Sequence, residues 1–386
     1  MKILIACVSS SHTLDGVLRH TINLAAALLQ RPEIKEVHLV VGSWQLASVR
    51  ALLGNLDARC HLHTAKSLAS SHARNLWYLN SLPRLALGLQ VDLVHLAYPA
   101  PVRKGRFPCP VVTTLHDLYP IDAPHNFGYP RVLLNRFILS RCLSTVDAIA
   151  CVSNSTLMRL RTHNARYAAK SSHIPNCVCA GSPSSSAPDL RLEQQPFLLT
   201  VAQHRRNKNL PLTLDAFRRL SPSNPELLLV IVGNEGPETP SLHKLLEDEQ
   251  LHARVLLLHG ISDNHLQWCY QHCKLLLATS SVEGFGLPVA EAMLSGCPIV
   301  CSDIAAFREL GDTYCRFVPL GSDAGANFAE SAQQLMNLAR PVPDPLLHLK
   351  SSVVVDQCLR LYRGLLADGR YNPRILALQS QKDAGL

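Results

Sequence analysis

Two glutamates with seven residues between them, Glu283 and Glu291, bracket the segment Glu283-Gly-Phe-Gly-Leu-Pro-Val-Ala-Glu291. A carboxylate beside a diol accepts hydrogen bonds from both hydroxyls, which suits a ribose or a hexose. Before the segment lies the strand-length apolar run Leu275–Ala278. After it comes a helical pattern, Val289–Leu294, closed by Gly296. A strand, a glycine-containing loop and a helix start present backbone N–H groups and the positive end of a dipole to an anion. Gly284 and Gly286 let the backbone come close to such a ligand. Pro288 fits the first helical turn, where its missing donor costs nothing. With the helix starting near Pro288, Glu291 falls in that first turn. The simpler alternative has Glu291 complementing the helix start and Glu283 solvated.

The surrounding elements must hold this segment in place. Continuous apolar runs recur in the first half at Lys2–Val8, Val37–Val41, Leu93–Ala97, Val111–Leu115 and Ala148–Val152. Continuous rather than alternating runs predict parallel strands buried on both faces. Helical segments such as Arg19–Gln30 lie between them, so the half reads as a doubly wound α/β domain. The Ser- and Pro-rich stretch 179–195 lacks periodicity and is expected to be a linker. Strands then restart at Phe197–Val201, Leu227–Val232, Val255–Leu258, Leu275–Ala278 and Pro298–Cys301. The expectation is two Rossmann-like domains facing a central cleft, residues 1–178 and 196–352, with ligands at the carboxyl ends of strands. Residues 353–386 add a helix, Val353–Leu366, and a tail returning to the N-terminal domain.

A chain of 386 residues with 47% hydrophobic and 17% charged residues suits two globular domains rather than a disordered polymer. No apolar run reaches the roughly 18–20 residues that span a bilayer. The run at Met1–Ser9 reads as a first strand, not a signal peptide. Thirteen cysteines, odd in number and unpatterned, imply reduced thiols and a cytoplasmic protein. Residues 1–178 carry 19 Lys and Arg against 8 Asp and Glu, a net +11 within a total of +8. This asymmetry points to an anionic membrane surface, met peripherally on its inner face; a solvated basic surface is the plainer alternative. No nucleic-acid partner is expected.

The string EGFGLPVAE, followed by AMLSGCPIVCSD, resembles the signature of family 4 of the retaining glycosyltransferases. The resemblance covers most of the chain and implies the GT-B architecture. It implies that Glu291 binds the ribose of the donor nucleotide. Glu283 and the backbone of Gly284, Phe285, Gly286 and Leu287 would contact the transferred sugar and diphosphate. Leu199–Phe217 is similar to the segment whose Lys holds the diphosphate, here Lys208. The family's Gly-Arg pair is replaced by Ala202 and Gln203, so Arg205 or Arg206 would supply that cation. Asp15–His20 resembles the loop after the first strand, where Gly16 admits the diphosphate. Thr113–Asp117 resembles a strand-end His-Asp pair, which implies that His116 lies near the donor sugar and acceptor.

The implied activity is transfer of a hexose from a GDP- or UDP-linked sugar to a saccharide or lipid-linked acceptor in cell-surface polysaccharide synthesis. The run Arg206–Asn209 leans toward GDP-mannose. Retention without an assigned nucleophile follows from the resemblance, with the departing phosphate deprotonating the acceptor. No cofactor or metal is expected, because cations of the protein would neutralise the leaving group and no Asp-x-Asp motif occurs. His265, Cys269, His272 and Cys273 offer a competing zinc reading, set against their match to a variable surface helix. An epimerase, a phosphorylase or a non-catalytic nucleotide-sugar-binding protein would use the same architecture. A dehydrogenase is disfavoured because no G-x-G-x-x-G follows the first strand.

Overall fold

The computed structural model describes residues 1–10, 15–54, 57–66, 70–103, 105–178, 181, 186–247 and 249–368. The chain forms two compact units. The first comprises Met1–Pro120, Tyr129–Cys177 and the segment from His348 onward; the second comprises Ile121–Gly128 and Val178–Leu347.

In the first unit the strands are β1 (Lys2–Cys7), β2 (Glu36–Gly42), β3 (Cys60–Ala65), β4 (Leu93–Leu96), β5 (Val111–Leu115), β6 (Ala148–Cys151) and β7 (Ser171–His173). They make one parallel sheet in the order β3-β2-β1-β4-β5-β6-β7. The central strands are apolar on both faces because helices cover both, and Ile3, Ile5, Leu39 and Leu93 are fully buried. Helix Gly16–Leu29 packs on this sheet through Leu18, Leu24, Ala25 and Leu28. Asp15 caps its start, accepting from the Leu18 N–H at 2.8 Å. The C-terminal helix Ser351–Ala367 enters the same core with Val354, Leu359 and Tyr362. The Tyr362 hydroxyl lies 2.5 Å from His95 Nδ1, and Thr114 Oγ1 lies 2.7 Å from His95 Nε2.

The second unit contains β8 (Phe197–Val201), β9 (Leu228–Val232), β10 (Val255–Leu258), β11 (Leu275–Ala278), β12 (Ile299–Ser302) and β13 (Arg316–Val318). Its sheet is also parallel, in the order β10-β9-β8-β11-β12-β13. Leu198, Phe217, Ile231, Leu277 and Phe328 form its core.

Three strands escaped the sequence reading: β3, β7 and β13. Each lies at a sheet edge, where one side meets solvent and the run of apolar residues is broken. Within the expected linker, Arg191–Gln194 forms a helical turn with Leu192 buried. The expected tail beyond residue 368 lies outside the described residues. Among the described residues no helix is long and apolar enough to cross a membrane.

Candidate functional site

In each sheet the chain order reverses beside the first strand: β1 is flanked by β2 and β4, and β8 by β9 and β11. The helices that follow the two flanking directions cover opposite faces, and a crevice opens beyond the carboxyl ends at that point. In the second unit β8 and β11 border it. Lys208 lies on the loop after β8 and Glu283 on the loop after β11.

These two loops are tied together by backbone and side chain. Ser281 N–H donates to the Asn207 carbonyl at 2.8 Å, and Asn207 Nδ2 donates to the Val282 carbonyl at 3.2 Å. Thr279 Oγ1 donates to the Lys208 carbonyl at 3.1 Å and lies 2.7 Å from Thr213 Oγ1. The first loop is also pressed on by the end of β9. A Cβ at Gly233 would come within 1.9 Å of the Ala202 carbonyl oxygen, so only glycine fits there.

Lys208 Nζ donates to Glu283 Oε1 at 2.5 Å, and Ser280 Oγ donates to the same oxygen at 2.7 Å. Glu283 is only 8% exposed. A carboxylate this buried requires a partner, and the lysine and serine provide it. Gly286 then adopts φ +102°, and a Cβ there would meet the Phe307 ring at 2.8 Å. Its left-handed backbone swings the chain into helix Leu287–Leu294, with Pro288 in the first turn. No side chain caps this helix start. Val289 and Ala290 N–H donate to the Gly286 carbonyl at 3.0 and 3.2 Å and Pro288 has no N–H, which leaves the Leu287 N–H at the positive end of the helix, a position suited to an anion. Phe285 is buried against the protein, which anchors the loop between its two glycines.

Glu291 corrects the sequence reading. The helix begins at Leu287, so Glu291 stands in its second turn, and the first turn carries no acid. Its carboxylate is held instead by the Tyr270 hydroxyl, which donates at 2.9 Å. Arg205 is half-buried and Arg206 exposed. Among the described residues neither guanidinium enters an ion pair, so both remain candidates for a phosphate contact.

In the first unit His116 follows β5. Its Nε2 donates to the Ala97 carbonyl at 2.9 Å, beyond the end of the neighbouring β4. That bond assigns the proton to Nε2 and leaves Nδ1 as an acceptor. Burial holds the imidazole down to about 4, against a weaker opposing pull from the Ala97 carbonyl, so His116 is neutral at pH 7. The His20 ring meets it edge-on at 5.1 Å. His20 is itself neutral through burial, and neither of its ring nitrogens has a hydrogen-bond partner among the described residues. Gly16 is the first residue of helix Gly16–Leu29 rather than part of the preceding loop, and residues 11–14 lie outside the described set.

Sequence reasoning missed Ser280, Tyr270, Asn207 and His20 as supports. Asn207 and His20 stood inside segments quoted for the resemblance without a role, and Ser280 lay between the strand Leu275–Ala278 and Glu283. Nothing in the spacing of Tyr270 pointed to Glu291. Of the zinc candidates, Cys273 Sγ lies 3.3 Å from Cys297 Sγ, and His272 Nδ1 bonds the Trp268 carbonyl at 2.8 Å. Among the described residues no group of three His, Cys, Asp or Glu side chains is arranged to hold a metal.

Residues 184–318 match the family model "Glycosyl transferases group 1", and residues 14–180 match "Glycosyltransferase Family 4". The chain is 27% identical over 364 residues to O-antigen chain mannosyltransferase B of Escherichia coli, covering 86% of this chain and 91% of that one. It is 30% identical over 200 residues to O-antigen chain mannosyltransferase RfbU of Salmonella typhimurium, covering 51% of this chain and 53% of that one. Among solved structures, WaaG, a glycosyltransferase involved in lipopolysaccharide biosynthesis, aligns with a TM-score of 0.67 at 15% identity, covering 95% and 98% of the two chains. Anabaena HepE in complex with UDP and glucose aligns with a TM-score of 0.65 at 16% identity over the whole of both chains.

Proposed function

Because the chain belongs to the group 1 glycosyltransferases of family 4, with the α/β GT-B fold, we propose that it transfers a hexose with retention from a nucleoside-diphosphate sugar. The observation that carries this reading is the Lys208–Glu283 pair at the crevice of the second sheet, beside an uncapped helix start. Lys208 would turn to the diphosphate when donor binds, and the Leu287 N–H would neutralise its other face. Charge develops on the leaving diphosphate as the sugar departs, so donors fixed there lower the barrier. Freed from Lys208 but still held by Ser280, Glu283 would accept from a hydroxyl of the transferred sugar. Glu291, fixed by Tyr270, would accept from the ribose. His116, neutral with Nδ1 open, would accept from a hydroxyl on the sugar or acceptor side.

The donor we favour is GDP-mannose, supported by the mannosyltransferase names of the relatives, with UDP-linked hexoses as the comparison. The acceptor would be a saccharide or lipid-linked saccharide of a cell-surface polysaccharide, met by a peripheral protein at the inner face of the membrane. Catalysis would draw its positive charge from the protein, without a metal. The test is a thermal-shift panel of nucleotide sugars, since a bound donor raises apparent stability. Turnover with radiolabelled donor, with and without EDTA, then follows. Stabilisation by GDP-mannose with EDTA-insensitive transfer supports the reading; no shift with any nucleotide sugar overturns it.

A further inference from the structure

Helix Arg131–Thr145 of the first unit carries apolar residues on two faces. Val132, Leu139, Cys142 and Leu143 are buried against the protein. Leu133, Leu134 and Phe137 face solvent at 48%, 40% and 63% exposure, and the preceding Tyr129 stands at 80%. A surface helix ordinarily presents polar side chains outward, and a contiguous exposed apolar patch marks a binding face.

Charge places the patch further. The helix contains Arg131, Arg136 and Arg141 and no acidic residue. At about 100° per residue these three arginines do not share one stripe. They relate instead to the apolar residues. Leu133 and Phe137 lie about 40° apart on the outward face; Arg136 lies about 60° to one side of Leu133, and Arg141 about 40° beyond Phe137 on the other. Both arginines are exposed, and Ser140 and Ser144 complete the face. Arg136 Nε donates to the Pro120 carbonyl at 2.6 Å, which holds its stem beside the stripe. An apolar stripe with a cation on each flank suits the boundary between lipid headgroups and acyl chains, where the rings and branches insert and the guanidinium groups stay at the phosphates. A saccharide would not call for the exposed leucines, and an acidic protein would not call for Phe137 between them.

We infer that the outward face of helix Arg131–Thr145, through Leu133, Phe137, Arg136 and Arg141, docks the protein on a bilayer containing anionic lipid. The net +11 of residues 1–178 supplies longer-range attraction to the same surface. The inference deepens the transferase reading, on which its link to a lipid-borne acceptor rests; the docking itself stands on the helix.

The test is sedimentation of the full chain with vesicles of phosphatidylglycerol and phosphatidylcholine, against phosphatidylcholine alone. Salt is raised from about 0.01 M to about 1 M, which shortens screening from about 30 Å to about 3 Å. Binding to anionic vesicles at low salt, released at high salt, is expected. Leu133→Ser/Phe137→Ser should weaken it by about tenfold or more, and Arg141→Gln by about fivefold. Both variants should keep the wild-type melting temperature and donor turnover on a soluble acceptor. Absence of wild-type binding at low salt, or undiminished binding by the Leu133/Phe137 variant, would overturn the inference. So would a wild-type dimer that the same variant dissociates without any vesicle binding. Vesicle binding with no turnover of any donor would sink the transferase reading and leave the docking face standing.

Discussion

Replacing Lys208 by alanine separates the two roles of its ammonium group. In the structure it is the cation at 2.5 Å from a carboxylate that is 8% exposed, while the lysine itself is 18% exposed. Stranding a fully buried charge costs about 3–5 kcal/mol. Some water reaches Lys208, and Glu283 keeps the Ser280 hydroxyl at 2.7 Å, so about 2–3 kcal/mol is expected here. In the reaction the same ammonium meets the leaving diphosphate, and loss of one such fixed donor lowers kcat by about 10²–10³. The double variant Lys208→Ala/Glu283→Ala discriminates between these effects. Removing the stranded carboxylate should restore about 1–2 kcal/mol relative to Lys208→Ala, a coupling within the range for residues in contact. It should restore no activity. Urea unfolding and initial rates of donor consumption measure the two quantities on the same preparations. Wild-type turnover in Lys208→Ala, or a double variant no more stable than simple addition of the single effects, would refute the argument.

Gly286→Ala must hold a side chain at φ +102° against the Phe307 ring; a loss of about 1–3 kcal/mol in urea unfolding and weaker donor binding by calorimetry are expected. Glu291→Gln should raise the KM for donor about tenfold with little change in kcat, if its role is ground-state binding of ribose; Tyr270→Phe should move KM the same way by less, as judged by steady-state kinetics. Acid should weaken the first unit. Burial holds His95 at about 3, below the ordinary 6.5 of a histidine. Its contribution is therefore complete above pH 6.5 and declines as pH falls toward 3, by about 2 kcal/mol between pH 7 and pH 5. Buried His116 and His20 add to this slope in the same direction, so urea unfolding at those two pH values should show a larger total loss, and His95→Gln should reduce it by about 2 kcal/mol without abolishing it.

Strands buried on both faces were legible because burial forces an uninterrupted apolar run: Val111–Leu115, Phe197–Val201 and Leu275–Ala278 have the bounds the sequence predicts. Edge strands need not obey that rule: β10 keeps an apolar run, Val255–Leu258, whereas β3 and β7 do not. β3 reads Cys-His-Leu-His-Thr-Ala, with His61 exposed, and β7 is no more than Ser-Ser-His. The Glu283–Glu291 segment was readable as strand, loop and helix because glycine and proline fix backbone geometry locally. The helix nevertheless starts at Leu287, since Gly286 takes a left-handed conformation that its neighbours in sequence do not reveal. Lys208 and Glu283 meet through a contact across 75 residues, and Tyr270 reaches Glu291 across 21. Such pairings are set by the order of strands in the sheet, and no local pattern encodes them.

The placement of helix Ser351–Ala367 also bears on how the molecule is made. A ribosome delivers the seven strands of the first sheet well before this helix emerges, yet Val354, Leu359 and Tyr362 belong to the core beneath those strands. Until then helix Gly16–Leu29 lacks part of its packing surface, and His95 Nδ1 lacks its hydroxyl partner. The second unit is complete by Leu347, with Phe328 of its core already delivered, before this helix emerges. During synthesis the later half can therefore mature first, and the half that begins the polypeptide is sealed last.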